Sequence, residues 1–205
     1  MRRLDGREAC RVTTSDPQRW EVQMKRALVI VDIQRDYFPG GNMELKGSIE
    51  ASEKAKALLA TFRDEALPVV HIQHISLRRG ATFFLAGTEG VKIHDNVQPG
   101  DGEALFQKHY PNSFRETPLL DYLRATSITQ LVIAGMMTHM CIDATTRAAF
   151  DFGFECVLAH DACATRALSF GGVTVPAEQV HASFVSALHG VYANAVATGD
   201  ICSTL

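Results

Sequence analysis

The sequence of 205 residues predicts an α/β fold in which a mostly parallel sheet lies between two layers of helices, a three-layer α/β/α sandwich. Two observations support this prediction. Short runs of Val, Ile and Leu alternate along the chain with longer segments of helical pattern. The runs are nearly continuously apolar, which is typical of parallel strands buried on both faces. A chain of this length can also bury a sizeable core.

The individual elements follow from local composition. ALVIVD, residues 27–32, is a β-branched run, and PVVHIQH, residues 68–74, opens on a proline that a strand tolerates at its first residue. Residues 49–66 combine helix formers with apolar side chains in a helical pattern. The remaining predicted elements are helices at 119–125, 141–153 and 177–193 and strands at 130–136, 155–160 and 194–198.

Turn signals mark several boundaries. Thr117–Pro118 and Pro176 are typical of helix starts, and Gly153 is typical of a helix end. Residues 76–110 show no clear period, and we predict a long loop there. A loop of that length in a compact domain is usually functional, so we expect it to shape the ligand pocket.

Composition excludes several classes of protein. The formal net charge of −3 gives no attraction to nucleic acid or to anionic membranes. No apolar run approaches the roughly 18 residues that a membrane span needs. The number of cysteines, five, is odd, and the sequence has no C-x-x-C motif, so neither a disulfide framework nor a zinc site is predicted. We expect a cytoplasmic protein without nucleic-acid or membrane partners.

The first 23 residues differ from the rest. They begin with basic residues, lack the apolar stretch of a secretory signal, and offer little that packs apart from Trp20 and Val22. We predict that residues 1–23 are a poorly ordered extension and that residues 24–205 form a single domain. Met24 is an alternative start of the native chain.

Polar residues at predicted strand ends point to a catalytic site. Asp32 ends the first strand, and Cys141 follows the strand at 130–136, where the next helix begins. A helix N-terminus stabilises a thiolate, and its free N–H groups can bind an oxyanion. His139 is a poor base for Cys141, because residues two apart on a helix do not share a face. Asp32 is the first candidate base, and Lys108 in the long loop is the candidate cation.

Three segments of the chain carry a resemblance to a known family: VIVDIQRDYF, FQKHYPNSFRETPLLDYL and VIAGMMTHMCIDATTRAAFDFGF. In this order and spacing they resemble the signature segments of the isochorismatase-like cysteine hydrolases. That family includes nicotinamidases, N-carbamoylsarcosine amidases, ureidoacrylate amidases and isochorismatases. The resemblance runs from about Ala27 to the C-terminus. It implies a Rossmann-like three-layer fold and cofactor-free hydrolysis of a C–N bond in a small amide or carbamoyl compound, through a thioester.

The resemblance also implies roles for individual residues. Cys141 would be the nucleophile, Asp32 would take its proton and later activate water, and Lys108 would stabilise the thiolate and the developing negative charge. A cis peptide bond is implied between Met136 and Met137. The backbone N–H groups of Met137 and Cys141 would then form the oxyanion hole. The resemblance further implies a homodimer or homotetramer.

Other side chains are candidates for substrate or metal contact. His71 and His74 are three apart in a strand and point to opposite faces, so we expect no shared metal. The metal-binding nicotinamidases have Asp-x-His after this strand, and HIQHISL lacks it, so no metal is expected. We predict that His74 lines the pocket and that His71 is a core residue. Gln34 and Phe38, which follow Asp32, are predicted to contact substrate.

Further residues of the long loop and the strand ends have less specific interpretations. Four methionines are either an apolar pocket wall or core filler, namely Met43, Met136, Met137 and Met140. Arg78 and Arg79 could bind a carboxylate, but we favour solvated surface positions for both.

Two other functions are also compatible with the sequence. Vinyl-ether hydrolysis of an isochorismate-like substrate does not need a cysteine nucleophile, so the retained Cys141 argues against it. A non-catalytic flavodoxin-like binding module predicts an inert Cys141, and no GxGxxG loop follows the first strand to bind a nucleotide. Taken singly, Asp32 is also explicable as a turn residue, Lys108 as a surface lysine and Cys141 as a small buried hydrophobe.

Overall fold

The computed structural model describes residues 25–205, so the predicted extension of residues 1–23 and Met24 lie outside the described residues. The helices and strands are, in chain order, β1 (Arg26–Val31), α1 (Ser48–Asp64), β2 (Val69–His74), β3 (Ala104–Lys108), α2 (Leu119–Ala125), β4 (Gln130–Met136), α3 (Asp143–Asp151), β5 (Glu155–Ala164), β6 (Leu168–Phe170), β7 (Val173–Val175), α4 (Ala177–Leu188), β8 (Asn194–Val196) and α5 (Thr198–Cys202).

The central sheet has six strands in the order β3-β2-β1-β4-β5-β8, and each neighbouring pair is parallel. The short strands β6 and β7 form a separate antiparallel hairpin between β5 and α4. The prediction of a mostly parallel sheet flanked by helices is confirmed. No helix in residues 25–205 combines the length and the hydrophobicity required to cross a bilayer.

Buried side chains on both faces of the sheet divide the core into two layers. In β1, Leu28 and Ile30 belong to one layer, whereas Val29 and Val31 belong to the other, as the alternation of side chains along a strand requires. The first layer packs against α1 and α5, and the second packs against α2, α3 and α4. Burial on both faces explains why the central strands read as continuous apolar runs.

The prediction of an unbroken loop over residues 76–110 is wrong for residues 104–108, which form β3 and pair with β2. This strand lies at the edge of the sheet and is only five residues long. Leu105 and Gln107 are exposed, and Lys108 is buried. Short edge strands with polar residues carry little of the apolar signal by which strands are recognised.

Other boundaries shift for identifiable reasons. The helix predicted at 141–153 starts with a π-helical turn, Thr138–Ile142, and its regular part ends before Gly153, which has the left-handed φ of 90° common after helices. The helix predicted at 177–193 ends at Leu188, close to Gly190 with φ of 84°. The strand predicted at 155–160 continues to Ala164 after an irregularity in its pairing with β4.

The close approach of β1 and β4 depends on a glycine. Gly135 pairs with Val31, has φ of 134°, and would place a Cβ atom only 1.9 Å from the carbonyl oxygen of Val31. The contact lies next to Asp32, whose own φ of 53° is unusual for a residue with a side chain. Such backbone positions cluster at functional sites.

We expect Gly135→Ala to lower the free energy of unfolding by about 3 kcal/mol or more, because the new Cβ collides with backbone and the φ angle is unfavourable. Urea unfolding followed by circular dichroism measures this. Gly199→Ala is the matched control, since Gly199 lies in α5 with no atom within 4 Å of an added Cβ. It should change stability by less than about 1 kcal/mol. Equal effects of the two substitutions would contradict the requirement for glycine at position 135.

Candidate active site

The polar residues at the carboxyl ends of the strands lie side by side along one edge of the sheet. Lys108 ends β3 and pairs with His74 at the end of β2. Asp32 directly follows β1, and Met136 ends β4. Cys141 lies in the π-helical turn that follows β4. The sheet order therefore places the lysine, the histidine, the aspartate and the cysteine in sequence along this edge.

The ammonium group of Lys108 is at the centre of this cluster. Its Nζ atom lies 2.6 Å from Oδ2 of Asp32, 3.0 Å from Nδ1 of His74 and 3.1 Å from Sγ of Cys141. It also donates to the carbonyl oxygen of Tyr110 at 3.1 Å. Lys108 and Asp32 are both fully buried. Burial opposes the charge of Lys108, but Asp32 and Cys141 outweigh this effect and raise its pKa.

His74 is neutral in this arrangement. Burial lowers its pKa to about 4, the nearby Asp32 carboxylate opposes the shift, and the ammonium of Lys108 adds to it. An ammonium group has only donors, so Nδ1 of His74 accepts its hydrogen bond and the imidazole proton lies on Nε2. The ring is therefore fixed in one tautomer by the lysine.

The thiol of Cys141 is protonated in the resting site. Burial raises its pKa, the charge of Asp32 raises it further, and Lys108 lowers it only in part. Lys108 alone favours the thiolate, whereas the burial of Cys141, which is 5% exposed, and the adjacent carboxylate favour the thiol. Oδ1 of Asp32 has no hydrogen-bond donor within residues 25–205 and is available to accept a proton.

Three residues of the cluster have the chemistry of metal ligands. A carboxylate oxygen of Asp32, a ring nitrogen of His74 and Sγ of Cys141 lie within 4.8 Å of one another. Each of these three side chains also contacts the ammonium of Lys108. The ammonium group occupies the position that a metal ion would need, so an ion would have to displace it.

The two residues predicted to contact substrate after Asp32 are both buried and have partners within the protein. Gln34 is fully buried, accepts from the backbone N–H of His74, and donates to the carbonyl oxygens of His74 and Val91. Phe38 is buried and stacks on His94 at 3.7 Å between ring centroids. The amide of Gln34 thus positions the end of β2, and substrate contact by either residue stays a prediction.

The turn that bears Cys141 is fixed by backbone and side-chain contacts. The peptide bond between Met136 and Met137 is cis, and the carbonyl oxygen of Met137 accepts from the N–H groups of Met140 and Ile142. The Nδ1 atom of His139 lies 2.5 Å from Oγ1 of Thr165, so this ring nitrogen is engaged with β5-side residues and not with Cys141. This contact agrees with the exclusion of His139 as the base.

A cavity of about 330 Å³, here called the site cavity, opens next to these residues. Its apolar wall consists of Met43, Ala81, Phe83, Pro111, Met137 and Met140. Its polar lining consists of His74, Ser76, Arg78, His109 and Arg166. His74 thus lines the cavity, and three of the four methionines considered from the sequence do so, whereas Met136 is fully buried in the core.

No sequence pattern singles out Arg166. Arg78 is exposed, as predicted for a solvated surface position, and it also lines the site cavity. Arg166 comes two residues after β5, whose final residue pairs with Met136. Because the sequence predicts that β5 ends at residue 160, it does not indicate that Arg166 lies at the carboxyl edge of the sheet. Arg78 lies in the loop after β2, and Arg79 is not among the residues that line the site cavity.

Comparison with known proteins identifies the family. Residues 26–179 match the isochorismatase domain. The chain belongs to the isochorismatase family. Among isochorismatase-family relatives, the uncharacterized protein YddQ of Bacillus subtilis is 47% identical over 175 residues, which are 85% of this chain and 97% of YddQ.

Two further isochorismatase-family comparisons bear on fold and activity. A crystal structure from Oleispira antarctica, assigned to the isochorismatase hydrolases, superposes with a TM-score of 0.85 at 49% identity over 88% of this chain and 97% of the other. Maleamate amidohydrolase of Pseudomonas putida is 28% identical over 156 residues, 69% of this chain and 73% of its own length. This protein is thus an isochorismatase-family hydrolase with amidohydrolase relatives.

The neutral state of His74 predicts a pH-dependent loss of stability. The pKa of His74 is about 4 in the folded protein and 6.5 in the unfolded chain. Below pH 6.5 the unfolded chain therefore binds a proton that the folded protein does not. As the pH is lowered from 7 to 5, this group therefore lowers the free energy of unfolding by about 2 kcal/mol. Urea unfolding of the wild type should show this extra loss relative to His74→Gln. Equal pH dependence of the two proteins would contradict it.

The electrostatics of Cys141 predict the pH profile of its alkylation by iodoacetamide, read for each cysteine by peptide mass spectrometry. The wild-type midpoint should lie above the ordinary thiol value of about 8.5. Asp32→Asn removes a neighbouring negative charge and should move the midpoint to lower pH, whereas Lys108→Gln should move it higher. Cys202 in α5 serves as the internal control. A shift to higher pH in Asp32→Asn would exclude this interaction.

Proposed function

We propose that this hydrolase cleaves a C–N bond of a small amide or carbamoyl compound, with Cys141 as the nucleophile and a thioester acyl-enzyme as the intermediate. The observation that carries the proposal is the position of the Lys108 ammonium. It contacts the proposed base Asp32 at 2.6 Å and the proposed nucleophile Cys141 at 3.1 Å, and all three residues are buried.

The first proposed step is transfer of the thiol proton to Asp32 as the sulfur attacks the substrate carbonyl carbon. The negative charge then passes from the carboxylate to the sulfur and on to the carbonyl oxygen. Lys108 stays protonated throughout, because its pKa is raised, and it lies beside the first two of these positions. A cation that lies beside the negative charge both before and after the proton transfer lowers the free-energy cost of moving that charge within a buried site.

The oxyanion is proposed to bind the backbone N–H groups of Met137 and Cys141. Cys141 lies in the π-helical turn that leads into α3, and backbone N–H groups at the start of a helix are suited to bind an anion. Oxyanion contacts of this kind typically contribute about 100-fold to 1000-fold in rate. They would act on the same carbonyl oxygen that receives the charge from the sulfur.

Asp32 has two further proposed tasks. Once protonated, it gives its proton to the nitrogen of the leaving amine or ammonia, which breaks the C–N bond and leaves the thioester. It then removes a proton from a water molecule, whose oxygen attacks the thioester carbonyl carbon. The C–S bond breaks, the acid product is released, and Asp32 returns the proton to the sulfur of Cys141. The ammonium of Lys108 supplies the positive charge that these steps need, so the proposed reaction requires no cofactor or metal.

Family relationships give independent support for amide chemistry. A relative that covers most of the chain is a maleamate amidohydrolase. The retained Cys141 disfavours vinyl-ether hydrolysis, which does not need it. Assembly as a homodimer or homotetramer stays a prediction of the family resemblance, and a cytoplasmic location stays a prediction from the composition.

The test uses a panel of small amides and carbamoyl compounds, with release of ammonia or amine as the readout. Against the best substrate, Cys141→Ala, Asp32→Asn and Lys108→Gln should each lower kcat/KM by about 1000-fold or more, because the three residues act as a unit. In Asp32→Asn, slowed hydrolysis should allow mass spectrometry to detect an acyl group on Cys141.

Cys156→Ala is the matched control. Cys156 is also buried, but it lies at the opposite end of the sheet, where it pairs with Leu131 near the start of β4. Its substitution should leave kcat/KM within about twofold, as expected of a residue outside the reacting groups. A Cys141→Ala protein that still cleaves an isochorismate-like ether would replace this proposal with the ether-hydrolase function.

A further inference from the structure

The turn that bears Cys141 is attached to β5 and α4 by a side chain of its own. Thr138, the first residue of the turn, is fully buried, and its Oγ1 atom lies 3.0 Å from Nδ1 of His181 in α4. The same hydroxyl donates to the carbonyl oxygen of Ala164, the last residue of β5, at 3.3 Å. A hydroxyl group has a single hydrogen, so Nδ1 of His181 supplies the hydrogen of the other contact. Thr138 thus joins the turn, β5 and α4 at one buried atom.

The backbone hydrogen bonds found around this turn stay close to it. The N–H groups of Met140 and Ile142 both bind the carbonyl oxygen of Met137, the residue just before the turn. These bonds preserve the π-helical shape, which is rare in proteins and is frequently found at functional sites. They do not reach α4 or the end of β5, so the position of the turn against those elements depends on side chains. The contact of His139 with Thr165 is a second one of this kind.

The position of the turn determines the geometry of the proposed nucleophile. Lys108 ends β3 and Asp32 follows β1, and both strands are held in register by their pairing with β2. Cys141 lies in the turn outside the sheet, with its Sγ atom 3.1 Å from the ammonium of Lys108. A displacement of about 1 Å can lower the rate of an enzymatic reaction about 100-fold. The hydrogen bond of Thr138 therefore lies where it can affect the rate without contact with substrate.

We propose that Thr138 and His181 are positioning residues of the proposed reaction. Their hydrogen bond holds the turn at the place where Sγ of Cys141 meets the ammonium of Lys108. Neither side chain lines the site cavity, so both act through the turn and not through contact with substrate. The inference rests on the proposed function, since it concerns the nucleophile of the same site. It gives α4, which bears none of the reacting groups, a part in catalysis.

The first experiment removes the hydroxyl of Thr138 and measures the pH dependence of iodoacetamide alkylation at Cys141. In Thr138→Val the sulfur should leave its buried place beside Asp32, so the midpoint should fall from its raised value toward the ordinary thiol value of about 8.5. Thr138→Ser keeps the hydroxyl and should keep the wild-type midpoint. A loss of stability alone does not move the midpoint of a protein that circular dichroism shows to be folded.

Thr146→Val is the matched control. Thr146 is also a fully buried threonine, in α3, but its hydroxyl has no hydrogen-bond partner within residues 25–205. Its substitution should leave the midpoint of Cys141 unchanged. Equal midpoints in Thr138→Val and the wild type, or equal shifts in Thr138→Val and Thr138→Ser, would overturn the proposal.

The same variants separate the rate of amide hydrolysis from substrate binding. On the best amide of the panel, Thr138→Val should lower kcat by about tenfold to 100-fold and change KM by less than about threefold, because the lining of the site cavity is kept. Thr138→Ser should recover most of the lost kcat. A rise in KM at unchanged kcat would contradict a positioning role.

His181 permits a test by chemical rescue. It lines a second cavity of about 250 Å³ and also a groove beside α4, so its removal leaves space that a small molecule can reach. His181→Ala should lower kcat as Thr138→Val does, and added imidazole should raise it again by about fivefold or more, since its N–H can bind the hydroxyl of Thr138. Imidazole should not stimulate the wild type or the double variant of Thr138→Val with His181→Ala. Equal stimulation of the single and double variants would refute the hydrogen bond as the cause.

The alkylation and hydrolysis measurements distinguish failure of this inference from failure of the proposed function. A shifted midpoint in Thr138→Val, together with amide hydrolysis that does not need Cys141, would refute the proposed function and retain the positioning of the thiol. Hydrolysis that depends on Cys141 but is unaffected by Thr138→Val would refute the positioning role and leave the proposed function intact.

Discussion

The buried contact between Lys108 and Asp32 is the constraint on which the rest of the site depends. Two opposite charges, both fully buried, are costly to remove from water, and loss of one partner would leave the other uncompensated at a cost of about 3–5 kcal/mol. The contact requires β3 to pair with β2 at the sheet edge, because that pairing places Lys108 beside the end of β1. The short edge strand β3 therefore positions the ammonium group of Lys108 beside Asp32.

The long segment between β2 and β3 is held to the sheet by two polar side chains that follow Asp32. Gln34 binds backbone groups of His74 and Val91, and Asp36 accepts from the N–H groups of Phe84 and Asn42. Both side chains are buried. The short turn after β1 thus links the catalytic edge to the wall of the site cavity, so that cavity shape and the position of His74 depend on the same few hydrogen bonds.

The order of the central strands and helices and the placing of Asp32 and Cys141 at one edge were predictable from the sequence, because buried parallel strands give continuous apolar runs and the carboxyl ends of such strands share one edge. The strand β3, which brings Lys108 to this edge, was not predictable, because its five residues are partly exposed and lack an apolar run. The location of Arg166 was not, because an irregularity in β5 conceals its true end. The structural use of Gln34 was hidden too, since partners distant in sequence leave no local pattern. Protonation of the thiol depends on burial by segments far apart in the chain.

The raised pKa of Cys141 has a consequence for the lifetime of the protein. Peroxides and other oxidants attack thiolates, and they convert exposed, acidic cysteines to sulfenic and then to irreversibly oxidised acids. Burial and the adjacent carboxylate raise the pKa of Cys141 and withhold the reactive form from such reagents. The electrostatics that hold Cys141 as a thiol thereby also protect its sulfur from oxidative damage.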